Sequence, residues 1–146
     1  KKRMEWDHVF KEFKIILPQT EDRNEIIYMS VKSPSMLVSD RDFVQQRKVW
    51  KDFNSNNNSH IIHFKSVDCA ECPIRKNHVR AHTTISGYYV ETISTNPLKT
   101  KLIIVSQNDI KGYMEFEIKD GDYKIPKYEV EALKDLKKQL VDYRDK

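Results

Sequence analysis

The sequence predicts an α+β fold, in which a run of antiparallel strands is followed by one long terminal helix. Three observations predict it: stretches rich in β-branched and aromatic residues between turn sequences, a polar loop NSNNNS at residues 54–59, and a helical apolar pattern near the end of the chain. The composition, with 33% charged and 38% hydrophobic residues, suits a single domain over residues 1–146. The net charge of +4 is mild and unclustered, which does not indicate a dedicated nucleic-acid binder.

Each strand is predicted from a stretch bounded by turn or loop residues. The third stretch follows SDRD at residues 39–42, which is typical of a turn, and the fifth is expected to bend at Gly87. The stretches are FKEFKIIL at 10–17, EIIYMSVK at 25–32, FVQQRKVWKDF at 43–53, HIIHFKSV at 60–67, HVRAHTTISGYYVETI at 78–93 and TKLIIVSQ at 100–107.

The end of the chain changes to a helical pattern. Apolar residues recur there at spacings of three and four, which predicts an amphipathic helix over about residues 127–144. They are Val130, Leu133, Leu136, Leu140 and Tyr143. This apolar stripe is expected to pack against the sheet and close a cavity where a ligand can bind. The preceding stretch YMEFEIKDGDYK, residues 113–124, fits either a hairpin or a lead-in to the helix.

Four motifs occur in an order typical of one family. RMEWD at 3–7, SDRDFVQQR at 39–47, HVRAHTTISGYYVE at 78–91 and TKLIIVSQNDIKGY at 100–113 resemble the START family, the steroidogenic-acute-regulatory-related lipid transfer domains. The resemblance implies a helix-grip fold, in which a curved antiparallel sheet wraps around a C-terminal helix. It also implies a tunnel for one lipid, which such domains carry between membranes or sense.

The chain departs from the family pattern at two places. Only five residues precede Trp6, so the family's N-terminal helix and first strands are expected to be absent from the sequence. Met114-Glu115 stands where an Ile-Pro pair usually opens the last helix, and Gly121 and Pro126 would interrupt a continuous helix.

Arg47 raises the main functional question, because it alternates onto the same strand face as Phe43 and Val49. An arginine at an edge strand could simply extend to water. The family resemblance instead implies that Arg47 points into the cavity, where sterol-carrying members oppose it with an acid. That acid's position is assigned to Tyr28 here, so Arg47 is expected to lack a counter-charge and to bind a phosphate. This reasoning favours a phospholipid over a sterol.

The remaining predicted contacts depend on the same resemblance. Tyr28 and Tyr89 are expected to form an aromatic wall for a cationic headgroup. The predicted lipid-binding residues are therefore Tyr28, Arg47, Tyr89, Met114, Val130 and Leu133. The protein is expected to be a cytoplasmic monomer that touches membranes transiently, without enzymatic activity or cofactor. The alternative is a truncated START-like module that binds proteins and has no working tunnel.

Other chemistries have weaker support in the sequence. Cys69 and Cys72 form a C-x-x-C near several histidines, but the spacing is too tight for a common zinc finger, and no metal site is predicted. A thioredoxin-like redox role would need a βαβ setting that is missing. No G-x-S-x-G motif is present. The strand at 78–93 mixes basic and aromatic residues but lacks the glycine-aromatic pattern of an RNA-recognition motif.

Overall fold

Strands make up most of the described chain, and they form where β-branched and aromatic residues are frequent. The computed structural model describes residues 2–5, 7–33, 37–54, 56 and 58–112. The chain begins with a short 3-10 helix at Lys2–Glu5. The strands that follow are β1 (Phe10–Leu17), β2 (Asn24–Val31), β3 (Asp40–Lys51), β4 (Ser59–Ser66), β5 (His78–Arg80), β6 (His82–Thr95) and β7 (Leu98–Asp109). The predicted strands are confirmed, with bounds that shift by a few residues.

The strands pair in nearly sequential order. Within the described residues, seven strands form one sheet, with the path β1-β2-β3-β4-β6-β7 antiparallel throughout. The exception is β5, which pairs in parallel with the first residues of β3, so that His78 lies opposite Asp40. The stretch at 78–93 is therefore two strands that separate at Ala81, whose backbone N–H donates to the Asp42 carbonyl oxygen.

Asp42 explains why β3 starts earlier than predicted. The turn predicted at 39–42 is wrong for its last three residues, which already belong to β3. A charged residue can occupy a buried strand position only when it is paired. Asp42 is 0% exposed, and its two carboxylate oxygens accept hydrogen bonds from Arg80 Nε at 2.8 Å and Nη2 at 3.0 Å. Arg80 also donates to the Cys72 carbonyl oxygen, so it joins β3, β5 and the loop between β4 and β5.

The sheet has two faces, which we name after one residue on each. Residues that lie directly opposite each other on paired strands project to the same side. Glu25 lies opposite Arg47, and Arg47 lies opposite Phe64, so these side chains share the Arg47 face. Tyr28 is three positions from Glu25 along β2 and pairs with Val44, which places both on the Tyr28 face.

A buried apolar cluster covers part of the Tyr28 face. Its centre consists of Tyr28, Val44 and Cys72, and Cys72 is supplied by the loop between β4 and β5. The side chains packed around this centre are Ile16, Ile26, Val67 and Cys69. The loop is therefore held against the sheet by an apolar anchor as well as by Arg80.

Arg41 fixes the end of β7 next to the start of β3. Its buried guanidinium donates to the backbone oxygens of Ser39 at 2.5 Å, Ile110 at 3.1 Å and Lys111 at 2.8 Å. Three carbonyl acceptors replace the water that this cation loses on burial.

The predicted helical part of the fold lies outside the described residues. This applies to the terminal helix expected over about residues 127–144 and to the segment 113–124. The antiparallel sheet of the predicted α+β fold is confirmed, and the helix stays a prediction.

Candidate functional site

Arg47 is paired with an acid. The Glu25 carboxylate oxygen Oε1 accepts a hydrogen bond from Arg47 Nε at 2.6 Å and lies 2.6 Å from Nη2. The side chains are 9% exposed for Glu25 and 28% for Arg47, so the pair is largely shielded from water but still reachable. The Arg47 guanidinium carbon also lies 5.9 Å from the centre of the Phe13 ring.

The expectation that Arg47 lacks a counter-charge is wrong. The strand register places Glu25, and not Tyr28, across from Arg47. The edge-strand interpretation is wrong as well, because β3 lies between β2 and β4. Together, Glu25 and Arg47 are electrically neutral, and they present N–H donors beside carboxylate acceptors.

A second polar group on the Arg47 face begins at Gln45. Gln45 Nε2 donates to Thr83 Oγ1 at 2.6 Å, Thr83 Oγ1 donates to Asn108 Oδ1 at 2.6 Å, and Asn108 Nδ2 donates to Ser106 Oγ at 2.7 Å. The buried Gln45 Oε1 has no hydrogen-bond partner among the described residues. Because an unsatisfied buried acceptor costs about 1–3 kcal/mol, a ligand that donates a hydrogen bond to this oxygen would be favoured.

Apolar side chains surround these polar groups on the Arg47 face. Ile27 and Phe43 are buried there. Phe64 and Tyr88 meet edge to face, with ring centres 5.9 Å apart and an interplanar angle of 89°. An apolar surface with a few polar groups at one place can hold a molecule that has an apolar body and one polar end.

Tyr28 does not meet Arg47, because it belongs to the opposite face. Its ring packs under the Arg75 guanidinium, whose central carbon lies 4.3 Å from the ring centre, and Arg75 Nη1 contacts Glu12 Oε2 at 2.6 Å. Burial, and secondarily the nearby Asp42 carboxylate, raises the pKa of Tyr28 to about 12. The Tyr28 ring is therefore part of the core and does not form a wall beside Arg47.

Tyr89 is also separated from Arg47. Phe64, which shares the Arg47 face, pairs with Ser86, and Tyr89 is three positions further along β6. Tyr89 therefore lies on the Tyr28 face, opposite Ile61. The structure brings neither predicted tyrosine to Arg47. The other predicted lipid contacts, Met114, Val130 and Leu133, lie outside the described residues.

Two functional candidates were missed by reasoning from the sequence, Glu25 and Gln45. Glu25 alternates with Ile27 and Met29 along β2, a pattern that assigns the three residues to one face. Gln45 similarly lies two residues before Arg47 in β3. Alternation along each strand could have assigned both residues to a face of the sheet. It could not have shown which residue of the neighbouring strand lies opposite each of them.

The two cysteines of the C-x-x-C lie in the loop between β4 and β5. Cys69 and Cys72 are both free. Cys69 Sγ donates to the Glu71 carboxylate at 3.1 Å, which raises the pKa of the Cys69 thiol and so lowers the fraction of thiolate. Within the described ranges, no cluster of three or more His, Cys, Asp or Glu side chains could hold a metal ion. Nor does any helix in this part of the chain have the length and apolar character needed to cross a bilayer.

Comparison with known proteins finds one family. The START domain family model matches residues 1–117. The StAR-related lipid transfer protein 5 of Bos taurus is 28% identical over 124 residues, and that of Mus musculus is 30% identical over 120 residues. Each match covers 82% of this chain and 54% of the relative. The chain thus spans about half the length of the curated relatives it matches.

Two solved structures share the fold. Human StAR-related lipid transfer protein 5 superposes with a TM-score of 0.80 at 24% identity, covering 97% of this chain and 65% of that one. Human STARD10 superposes with a TM-score of 0.74 at 24% identity, covering 98% of this chain and 54% of that one. These likenesses and the antiparallel sheet fit the helix-grip architecture.

Proposed function

Because this chain belongs to the START domain family, we propose that it binds a single lipid on the Arg47 face and carries that lipid between membranes or senses it. The matching relatives are named as lipid transfer proteins. The proposal treats the protein as one domain that carries its ligand unchanged, without an enzymatic step. It includes transient contact with a membrane surface and a monomeric state in the cytoplasm.

The Glu25–Arg47 pair is the observation that supports a specific class of lipid headgroup. A phosphate would have to displace the Glu25 carboxylate or approach it at close range, and like charges in a poorly hydrated site repel strongly. A hydroxyl can instead accept from the Arg47 guanidinium and donate to the Glu25 carboxylate. Gln45 Oε1 offers another acceptor two residues away.

We therefore favour a lipid with an uncharged hydroxyl headgroup, such as a sterol. The phospholipid preference predicted from the sequence depended on an unpaired Arg47, and the observed pair with Glu25 removes that argument. Tyr28 and Tyr89 are not part of this proposal, because they lie on the other face. Met114, Val130 and Leu133 stay predicted contacts from the end of the chain.

The test is vesicle-to-vesicle transfer with a sterol and with phosphatidylcholine, measured in parallel. Wild-type protein is expected to transfer the sterol faster. Glu25→Gln leaves the Arg47 cation unpaired, so transfer should shift towards phosphatidylcholine. Arg47→Leu should reduce sterol transfer, because the Glu25 carboxylate then lacks its partner and the site loses its donors.

Glu12→Gln is the matched control, since Glu12 also contacts an arginine, Arg75, but lies on the Tyr28 side of the sheet. It should leave both transfer rates unchanged. Faster phosphatidylcholine transfer by the wild type would contradict the headgroup assignment alone. A folded protein that binds neither lipid would contradict lipid binding itself and favour the protein-interaction module.

A further inference from the structure

A turn in the loop between β4 and β5 brings two thiols together. The loop comprises residues 67–77, and in it the Cys72 backbone N–H donates to the Cys69 carbonyl oxygen at 3.0 Å. A hydrogen bond between residues three positions apart closes a β-turn, whose end Cα atoms lie less than about 7 Å apart. Disulfides usually join Cα atoms that are about 4.4–6.8 Å apart. The backbone therefore holds the two cysteines at a separation that a disulfide can bridge.

Both cysteine side chains contact the same apolar cluster on the Tyr28 face. Cys72 belongs to the buried centre of this cluster with Tyr28 and Val44, and Cys69 packs against that centre. The sequence contains two cysteines, and both thiols are free. Packing thus directs the two sulfurs to one place, and a disulfide formed within this sequence must join these two residues.

The two thiols differ in their access to solvent. Cys72 is only 9% exposed, and its carbonyl oxygen accepts a hydrogen bond from Arg80 Nη1 at 3.2 Å. Cys69 is half-buried, and its Sγ donates to Oε2 of the exposed Glu71 side chain at 3.1 Å. A small molecule in solution can therefore reach Cys69 more readily than Cys72. Reversible redox cysteines commonly combine one accessible thiol with a second thiol beside it.

Glu71 controls how readily Cys69 reacts. The thiolate, and not the thiol, is the nucleophile in thiol–disulfide exchange. The hydrogen bond to the Glu71 carboxylate, and secondarily burial, raises the pKa of the Cys69 thiol, which keeps it protonated at neutral pH. The carboxylate therefore slows the attack by Cys69 without separating the two sulfurs.

We propose that Cys69 and Cys72 are a reversible redox pair, which a small-molecule disulfide such as glutathione disulfide converts to a Cys69–Cys72 disulfide. The Cys69 thiolate first attacks one sulfur of the small disulfide, which forms a mixed disulfide and releases one small thiolate. The Cys72 thiolate then attacks the Cys69 sulfur, which breaks the mixed disulfide and releases the second small thiolate. The two protons lost by the cysteines pass through water to the released thiolates. Two protein thiols are oxidised, and one small disulfide is reduced to two thiols.

The disulfide would hold the loop against the sheet. The loop supplies the carbonyl oxygens of Cys72 and Pro73 to Arg80, which is the counter-ion of the buried Asp42. A cross-link in this turn would restrain the segment that keeps Arg80 in place. The reaction modifies the chain itself and does not depend on a bound lipid. Rapid disulfide transfer to other proteins would instead need a cysteine with a lowered pKa, and the pKa of Cys69 is raised.

Reaction of the full chain with excess glutathione disulfide at neutral pH tests the proposal, with products trapped by acid and identified by mass spectrometry. The folded wild type should form the Cys69–Cys72 disulfide, and little mixed disulfide should accumulate. The same chain unfolded in urea is the reference, because it lacks the turn, and more of it should be trapped as the mixed disulfide. Equal accumulation in the folded and unfolded chains, or failure of the folded chain to form the disulfide, would overturn the proposal.

Substitution of each cysteine separates their roles. Cys72→Ser should stop at the mixed disulfide on Cys69. Cys69→Ser should react at least about tenfold more slowly than Cys72→Ser, because its remaining thiol reaches solvent only when the loop opens. Equal rates for the two variants would overturn the assignment of Cys69 as the attacking thiol.

Glu71→Gln tests the carboxylate without altering the core, because Glu71 is exposed. An uncharged amide accepts a weaker hydrogen bond, so the pKa of Cys69 should fall. The reaction should then be about two- to fourfold faster, since the gain in thiolate is partly offset by its lower nucleophilicity. Asp68→Asn is the matched control, because it removes a negative charge next to Cys69 but leaves the carboxylate that accepts from the thiol. It should react close to the wild-type rate. Equal acceleration in both variants, or none in Glu71→Gln, would contradict the role given to Glu71.

Discussion

Replacing Arg80 with methionine should destabilise the protein by about 3 kcal/mol, because it leaves the Asp42 carboxylate buried without its counter-charge. Asp42 is 0% exposed, and its carboxylate accepts two hydrogen bonds from the Arg80 guanidinium. Breaking a buried pair from one side costs about 3–5 kcal/mol. The lower end of this range applies here, because the Arg80 side chain is 21% exposed and water can partly replace its guanidinium beside Asp42. Methionine keeps most of the apolar part of the arginine side chain, so the loss in stability comes mainly from removing the charge.

Urea unfolding followed by tryptophan fluorescence would measure this loss in stability. The midpoint should fall without a change in the denaturant dependence, and the melting temperature should fall by about 10 °C. Arg75→Met is the matched control, since Arg75 is 41% exposed in its pair with Glu12. It should cost only about 1 kcal/mol, because exposed ion pairs contribute little.

The double variant Asp42→Asn with Arg80→Met separates the pair from other effects of Arg80. It should be more stable than the sum of the two single changes predicts, with a coupling of about 1–3 kcal/mol. If Arg80→Met costs no more than Arg75→Met, Asp42 does not depend on Arg80 and the explanation for the start of β3 fails.

Three further predictions concern the rest of the sheet. Tyr28→Phe should leave stability at neutral pH unchanged or raise it by up to about 1 kcal/mol. The pKa of Tyr28 is raised from its ordinary 10.0 to about 12 in the folded protein, so its contribution to stability is present below pH 10.0 and is lost as the pH rises towards 12, and the wild type should lose more stability over this range than Tyr28→Phe. Gly87→Ala should cost about 1–3 kcal/mol in urea unfolding, since the new Cβ would lie 2.5 Å from the Ile62 carbonyl oxygen; unchanged stability would show that β4 and β6 can separate freely. Lys11 holds the pKa of Asp40 below its ordinary 3.8, so this stabilisation exists above pH 3.8 and is lost as the pH falls further. Acid titration of Lys11→Met should show a smaller loss than wild type, and equal losses would exclude this pair as the cause.

The strands could be predicted because their signal is local. β1 coincides with FKEFKIIL, and β2 and β4 shift by one residue from the predicted stretches. The start of β3 could not be read locally, because SDRD has the composition of a turn. Asp42 is stable in a strand only because Arg80, far along the chain, is folded against it.

The site was harder to predict, because it depends on register. A shift of one residue moves a side chain to the other face of a sheet. The family resemblance predicts Tyr28 and Tyr89 beside Arg47, and the observed strand pairing places both on the opposite face. Glu25 could be assigned to a face by alternation, but its meeting with Arg47 depends on the connection between β2 and β3.

The contacts of Arg41 have a consequence for how the chain folds. Two of its acceptors, on Ile110 and Lys111, are 69 and 70 residues further along the sequence. During synthesis, β3 emerges long before these carbonyl groups exist, and a guanidinium cannot stay buried without acceptors. The first hairpins can therefore form early only with Arg41 still in water. The closing contact of β3 must wait for the end of β7. This couples an interior strand to the edge strand β7 and makes completion of the sheet a late, cooperative and comparatively slow event.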